Sequence, residues 1–373
     1  MAITLIEPNT LNFANNPIVF KATTDKSLGS EESMLRIVCN VTFQAVDRTG
    51  MQFTTELSHP VEDAGTATFN FSDAAQTLIK RIHAEIDMNG ITAFDHIGLH
   101  GYVNCHEVWI KDGYEVKGDT ASSGRFYVVP GGFTDFEMLT RDNIDLTSIA
   151  LPATEMSRMP TGGRILYFGE QLIVPTLSAE DKTATSTLTV AGNQVATGSV
   201  FLTGMATDYQ RVTFNSPDDG EFVFNSSLTG PITGYYRTNI RGVHFLRFIN
   251  GFGAVENIAV RAADKLSYEV YGETHSLVQE ISTRPTDRRY ATKSQPVGVY
   301  ELSSGYVPVR WAEWYVQELL TSPRVWIQLG GKWVPALIEA EDDCVIYDRT
   351  KPEMPHVDFT LRLAIDGVTG CTW

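Results

Sequence analysis

The stretch that decides the reading is Trp311-Ala312-Glu313-Trp314-Tyr315-Val316-Gln317-Glu318-Leu319-Leu320. It is followed by Val325-Trp326-Ile327-Gln328-Leu329, then Gly330-Gly331, then Lys332-Trp333-Val334-Pro335-Ala336-Leu337-Ile338. Trp311, Tyr315 and Leu319 recur at i, i+4 and i+8, the spacing of one buried helix face. Pro308 suits the first turn of that helix, where a missing N–H costs nothing, and Pro323 ends it. Gly-Gly between two apolar runs supplies the positive φ angles of a two-residue primed turn, so the following runs read as a β-hairpin. Four of the six tryptophans fall between Trp311 and Trp333. Rigid aromatic surface on that scale is normally withdrawn into a core or a permanent subunit contact. Trp314 falls beside the helical stripe, which leaves three readings of the cluster open: core, partner contact or a platform for a sugar ring.

Outward from this stretch the dominant period is two. Leu35, Ile37, Cys39, Val41, Phe43 and Ala45 alternate with Arg36, Asn40, Thr42 and Gln44, the pattern of a long half-buried strand. Met51 to Leu57 and Thr66 to Phe71 continue it. One helix follows over Ser72 to Ile82, with Ser72 or Asp73 placed to cap it. Ala93 to Ile110 and Arg125 to Val129 read as further strands, and Pro130-Gly131-Gly132 closes a first module. The expected layout is a β module with one helix over 1–132, a connecting segment over 133–163, a middle β-sandwich over 164–227 and a C-terminal β module over 228–373. Within the last module, Asn250-Gly251 between apolar runs marks another hairpin, and Val357 to Ile365 a closing strand. The expected fold is mainly β: two or three antiparallel sandwich-like or barrel-like modules with two short helices.

Composition bounds the function. The chain has 373 residues, 43% hydrophobic and 20% charged, enough for several cores and too ordered in composition for a disordered protein. A formal net charge of −16 opposes general nucleic-acid binding, which needs clustered Lys and Arg. No run approaches a membrane-spanning length. The opening Met1-Ala2-Ile3-Thr4-Leu5-Ile6 lacks the parts of a secretory signal, so manufacture in the cytosol is expected. Cys39, Cys105, Cys344 and Cys371 are far apart with no C-x-x-C pair, and read as reduced thiols.

Chemical constellations are sparse. His96, His100 and His106 share strand parity with Tyr102 and Asn104, but imidazoles strung along one strand do not converge on a metal. Glu339-Ala340-Glu341-Asp342-Asp343 lacks the spacing that wraps Ca²⁺ and reads as a solvated loop. Arg284 to Lys293 is locally basic. Its Arg288 and Arg289 are candidate partner contacts, pairing with the acidic run of a neighbouring copy, and Trp314 is a third candidate. Gly251-Phe252-Gly253 is a hairpin rather than a dinucleotide fingerprint, since no βαβ unit follows. The nucleophile-elbow, P-loop and zinc-protease patterns are absent, so neither catalytic residue nor cofactor is expected. Paired carboxylates for glycan hydrolysis are tertiary information and stay open.

Four stretches resemble tail- or baseplate-type structural proteins of tailed phages and prophage-like elements of Bacteroidota hosts. They are Ala67 to Asp73, Phe126 to Phe136 with its Pro-Gly-Gly-Phe link, His244 to Glu256 with its Asn-x-Phe-Gly-x-x-Glu hairpin, and Ala312 to Trp326 with the hairpin after it. The resemblance spans most of the chain and matches least over Arg164 to Ser227. It implies a virion component assembled in the host cytoplasm. Its partners would be copies of itself and other virion proteins, in a symmetric ring or sleeve, without nucleic acid or membrane insertion. Two rival functions stand beside it: a glycan- or receptor-binding module at a tail tip, with a host-surface glycan as partner, and a glycan hydrolase on a β scaffold.

Overall fold

Runs of alternating apolar residues become strands here, and three groups of strands follow one another along the chain. The computed structural model describes residues 3–46, 50–62, 65–85, 97–134, 137, 154–178, 180–276, 289–339 and 354–364, with backbone alone along 154–155, 262–276 and 289–297. The first group comprises β1 (Thr4–Ile6), β2 (Leu11–Phe13), β3 (Val19–Thr23), β4 (Glu32–Ala45), β5 (Gln52–Pro60), β6 (Thr66–Asn70), helix α1 (Ser72–Ala84), β7 (Leu99–Lys111), β8 (Tyr114–Ser122) and β9 (Phe126–Val129). One sheet runs β2-β9-β7-β4-β5 with β8 also on β7, and a second runs β1-β3-β6.

Ile37, Cys39, Val41 and Phe43 of β4 are fully buried, the parity that the alternation requires. Cys39 and Cys105 stand opposite each other in register as buried free thiols; Cys344 and Cys371 lie outside the described residues. Helix α1 lays Ala75, Leu78, Ile79 and Ile82 on this core. Its start corrects one expectation, because neither Ser72 nor Asp73 caps it through a side chain. Strand β6 feeds directly into the helix, so Asn70 is the residue beside the free N–H groups. Its Oδ1 accepts from the N–H groups of Ser72 and of Ile18, the residue before β3, each at 3.1 Å. The mostly exposed β8 was not expected, since it lacks an apolar alternation.

The second group holds β10 (Thr154–Glu155), β11 (Arg164–Tyr167), β12 (Gln171–Ser178), β13 (Lys182–Val190), β14 (Asn193–Leu202), β15 (Ala206–Thr213), β16 (Gly220–Ser226) and β17 (Ile232–Arg237). A five-stranded sheet β11-β17-β16-β13-β14 faces a three-stranded sheet β10-β12-β15, with Leu166, Leu172, Val174, Leu188, Phe222 and Phe224 in the core between them. The expected limits at 164 and 227 are both too narrow. β10 pairs with β12 and β17 pairs with β16 and β11, so the sandwich runs from 154 to 237. The Gly230-Pro231 turn before β17 reads as a module boundary in the sequence. β17 runs parallel to β11, and a Cβ on Gly234 would lie 1.9 Å from the Arg164 carbonyl oxygen.

The third group is a closed barrel of β18 (Val243–Ile249), β19 (Val255–Ser276), β20 (Arg289–Ser303), β21 (Val325–Leu329), β22 (Lys332–Glu339) and β23 (Asp358–Leu363), in the order β18-β19-β20-β23-β22-β21. β19 and β20 outrun it. β18 pairs with β19 only up to Arg261, and β23 pairs with β20 only from Val299. Beyond those points, among the described residues, the two long strands pair with each other alone, out to Ser276 opposite Arg289. Residues 289–293, the end of the locally basic stretch, are therefore the start of a strand. Arg288 lies outside the described residues, and of Arg289 the backbone position is what is described.

Helix α2 (Val309–Trp314) follows Pro308 and widens into a π-helical turn at Tyr315–Leu319, where the Leu320 N–H donates to the Tyr315 carbonyl at 3.0 Å. The hairpin β21–β22 closes through Leu329 opposite Lys332, with Gly330 and Gly331 at φ of 57° and 80°. Both left-handed positions are open to solvent, so conformation alone demands glycine there. Replacing both with valine should destabilise the full chain by about 2–4 kcal/mol, at ~1–2 kcal/mol per left-handed residue. Chemical denaturation measures this, and an unchanged midpoint would contradict the primed turn.

Candidate functional site

The densest polar chemistry among the described residues lies where the three groups meet, around the hairpin tip Asn250-Gly251-Phe252-Gly253. Asn250 shapes the tip itself. Its Oδ1 accepts from the N–H groups of Phe252 (3.0 Å) and Ala254 (2.9 Å). Its Nδ2 donates to the Met156 carbonyl (2.8 Å) and to Glu256 Oε1 (2.9 Å). Phe252 packs on Phe13 and Phe133 at ring separations of 6.1 and 5.6 Å. The Gly132 N–H donates to the Gly251 carbonyl at 3.2 Å, and His83 Nε2 lies 3.0 Å from the Gly253 carbonyl. The link Gly131 to Phe133 and the hairpin tip Asn250 to Gly253 thus meet at this point.

Arg158 binds the junction together. Its Nη1 donates to Glu318 Oε1 at 2.8 Å, and its Nε and Nη2 donate to the two carboxylate oxygens of Glu137 at 2.8 and 2.6 Å. Nη2 also donates to the Gly132 carbonyl (2.9 Å), and the guanidinium lies 4.0 Å over the Phe252 ring. Glu318 completes the node by accepting the Gly251 N–H at 2.6 Å. Glu137 is held in place by Thr134: the Thr134 N–H donates to its carboxylate (2.8 Å), and its own N–H donates to the Thr134 hydroxyl (3.2 Å). That reciprocal pair is a capping box. Burial works against the Glu137 charge, yet the bonds from Arg158 and Thr134 and the Arg158 charge hold its carboxyl down at about 2. For Arg158, burial again opposes the charge, but Glu137 and Glu318 outweigh it and raise the pKa.

A second buried polar layer joins the middle sandwich to the barrel. Arg164 donates to the Asn257 carbonyl at 2.7 Å. Arg247 donates to Asn257 Oδ1 and to Gln171 Oε1, both at 3.0 Å, and stacks 4.0 Å over Trp333. Burial, aided by the Arg211 charge, lowers the Arg247 pKa to about 10. Two carboxyls here are pushed up to about 7. For Glu170 the cause is burial, opposed by the Arg164 charge and the Tyr167 N–H. For Glu256 it is burial with help from the Glu318 charge, opposed by Ser157, Asn250 and Arg164. Neither lines any of the four clefts described below.

The clefts lie at the surface. Glu301, Glu339, His356 and Asp358 line one of about 680 Å³. Arg237, Arg241 and Arg261 line another of about 590 Å³. A hollow of about 210 Å³ lies against Ile165, Ile258 and Trp311, and one of about 460 Å³ separates α1 from the hairpin tip, with His83 and Arg324 on its walls. No cluster of His, Cys, Asp and Glu able to hold a metal occurs among the described residues.

Trp314 corrects the sequence reading. It is 3% exposed, ringed by Phe248, Trp311 and Tyr315 at 5.2–5.6 Å, and so offers no face to a partner or a sugar. The helix is wedged on two sides rather than one, which buries the Trp314–Glu318 stripe beside that of Trp311, Tyr315 and Leu319. Of the strand histidines, His100 and His106 sit half-buried on the outer face of β7, with His100 Nε2 3.1 Å from Gln44 Oε1; His96 lies outside the described residues. Sequence reasoning missed the junction. Thr134-x-x-Glu137 carried a legible capping signal, whereas nothing local marks Arg158 or Glu318 as partners 160 positions apart.

No family model matches the chain, and no curated protein matches it. Among solved structures, trypsin-activated α-2-macroglobulin from Escherichia coli aligns over 96% of this chain at 9% identity and a TM-score of 0.24. Invasin, a bacterial integrin-binding protein, aligns over 81% at 10% identity and 0.25. An I-band fragment of titin aligns over 81% of this chain and 93% of its own length, at 12% identity and 0.18. The chain spans 21% of the macroglobulin and 56% of the invasin. At such scores function has to be argued from the residues themselves.

Arg158→Ala should cost about 3 kcal/mol, the low end for breaking a buried pair, because Glu318 is left charged and enclosed. Arg158→Met with Glu318→Gln should lie closer to wild type than the single change. Denaturation of the full chain decides; a loss near the ~0–1 kcal/mol of an exposed pair would remove Arg158 from this role.

Glu256 gives a pH test. Its folded pKa is raised to about 7, so the folded state holds a proton that the unfolded state releases near 4.5. Its contribution therefore weakens stability as pH rises through that window. His83, lowered to about 4 by burial, acts in the opposite direction below 6.5 but cancels when wild type is compared with Glu256→Gln. The variant should gain on wild type as pH climbs from about 4.5 past 7, and parallel stability profiles would refute the shift.

Proposed function

We propose that this chain is a structural component of an assembly, a tail-, baseplate- or connector-type protein that packs in copies within a phage-like particle. The observation that carries this reading is the two-stranded ribbon formed by the outer parts of β19 and β20. Within the described residues it pairs with no third strand. A lone two-stranded ribbon is marginal in water and leaves two edges of unpaired N–H and C=O groups. Pairing with a neighbouring copy satisfies those edges, and a heterologous contact of that kind closes into a ring or continues into a sleeve. The junction around Arg158 suits the role, since a subunit under mechanical stress needs groups of strands that do not shift against each other.

A second reading, glycan hydrolysis, draws on the acidic cleft, where Glu301, Glu339 and Asp358 face a common space. Hydrolysis also needs a carboxyl poised to give up a proton near neutrality. The two with raised affinity, Glu170 and Glu256, line none of the clefts. The glycan-platform reading loses its residue with the burial of Trp314.

Light scattering on the purified chain, with electron microscopy of the same sample, tests the first reading. A discrete multiple of the monomer mass, or rings and tubes, is the expected result, and removing 266–298 should abolish it. A chain that stays monomeric at every concentration and salt would overturn it. Release of reducing ends from polysaccharides, lost in Glu339→Gln, would establish the second reading instead.

A further inference from the structure

The register of the first sheet sets Cys39 of β4 directly opposite Cys105 of β7. Both are free thiols, both are buried, and both belong to the same apolar core. Opposite residues of an antiparallel pair point to one face of the sheet, so the two sulfurs meet inside that core. The backbone decides how near they come. The Ser123 N–H donates to the Val103 carbonyl, and the Val103 N–H donates to Ser123 Oγ, each at 2.8 Å. Val103 therefore turns its peptide groups toward β8, and Cys105, of the same parity, does likewise. On the other strand the Ala45 N–H donates to the Met51 carbonyl at 3.0 Å, which turns Ala45, and Cys39 with it, toward the β5 side. The register shifts of these pairings fall elsewhere, between Ser33 and Arg36 and between His106 and Val108.

Neither cysteine directs a backbone hydrogen bond at the other, so the two occupy a non-hydrogen-bonded position of the ladder. There opposed Cα atoms stand ~4.5 Å apart and side chains approach most closely. A disulfide requires Cα atoms about 4.4–6.8 Å apart. The strands already hold the spacing that the bond needs. Thiol chemistry agrees with the geometry. A hydrogen bond from Cys39 holds the Cys105 thiol below its ordinary pKa, against the opposing effect of burial. The same bond, then burial and the Cys105 charge, push Cys39 up. Cys105 is also the less crowded of the two, with Ala121 opposite it on β8 where Cys39 has Leu57 on β5.

We propose that Cys39 and Cys105 are an oxidation site, joined as a cross-strand disulfide when the folded chain meets hydrogen peroxide. The Cys105 thiolate attacks one peroxide oxygen, and the O–O bond breaks to give a sulfenic acid and hydroxide. The hydroxide takes up the proton that Cys105 had released. Cys39 then gives up its own proton, its sulfur attacks that of Cys105, and the S–O bond breaks with loss of water. Two thiols and one peroxide become one disulfide and two waters. The sulfurs lose two electrons and the peroxide oxygens gain them. A reducing compartment keeps the thiols apart, and exposure to the oxidant staples β4 to β7 around β5, β6 and α1. Closing so long a loop restrains the unfolded chain and so stabilises the fold. The site holds whether or not the chain assembles.

The full chain is treated with hydrogen peroxide, blocked with a maleimide and mapped by mass spectrometry without reduction. A peptide pair joined through Cys39 and Cys105 within one chain is expected. In a Cys344→Ser, Cys371→Ser background the intact mass should fall by two hydrogens. The midpoint of thermal unfolding should rise by about 5 °C, and a reducing phosphine should return it. Cys39→Ala in that background should stop at the sulfenic acid, trapped on Cys105 by dimedone, with no rise in midpoint. Met34 and Met354, 72% and 56% exposed, report that peroxide reached the protein. Unlinked thiols in a sample whose two methionines have become sulfoxides would overturn the site. Linkage that forms only in denaturant, or only between two chains, would overturn it equally.

Discussion

A hairpin tip pushed between two other groups of strands is the constraint on which the rest of this structure depends. Asn250 to Gly253 brings a glycine-bounded turn, an aromatic ring and exposed backbone amides into one buried place. Gly131 approaches so closely that an added Cβ would lie 2.2 Å from Phe252. Such contact closes the Phe252 side of the tip, and the buried polar groups of Asn250 are matched there by the protein. Arg158, Glu137, Glu318 and Asn250 supply that match. Their charges are costly to enclose, and the arrangement persists because the donors and acceptors are met together.

The apolar packing follows the same geometry. Ile249, Phe252, Ala254 and Val255 from the barrel hairpin, together with Trp326, belong to the same hydrophobic cluster as Phe20, Phe43 and Phe69 of the first group. Met156, Ile173, Leu177 and Tyr209 of the middle sandwich join it. What the chain order presents as separate modules therefore shares one core at their meeting point. Polar specificity sits on top of that shared burial: hydrophobic contact brings the groups together, and the Arg158 node fixes which surfaces meet. Neither contribution alone gives a unique arrangement, since apolar faces slide and enclosed charges repel water-poor surroundings.

This division bears on function. The two carboxyls raised to about 7, Glu170 and Glu256, are buried, whereas the surface offers charged clefts and, among the described residues, a ribbon that pairs with no third strand. Among the described residues, polar groups are matched where the groups of strands meet, while the outer parts of β19 and β20 pair with each other alone.

Much of the architecture was legible from residue spacing. The period of two in β4, the paired glycines of the β21–β22 hairpin and the Trp311–Tyr315–Leu319 stripe each depend on neighbours a few positions away, and the structure has all three. Element limits set by sheet pairing were not legible: β17 looks like the start of the barrel until its hydrogen bonds place it in the sandwich. Trp314 stayed open between core, partner contact and sugar platform because a helix face predicts which side is apolar, and cannot reveal that a second surface covers the adjacent side; the structure puts it in the core. Local sequence determined the strands, the turns and the mainly β class, since those rest on backbone conformation and short-range periodicity. Only the tertiary structure decided the junction, because an arginine and a glutamate 160 residues apart become partners through chain topology, which no local pattern encodes.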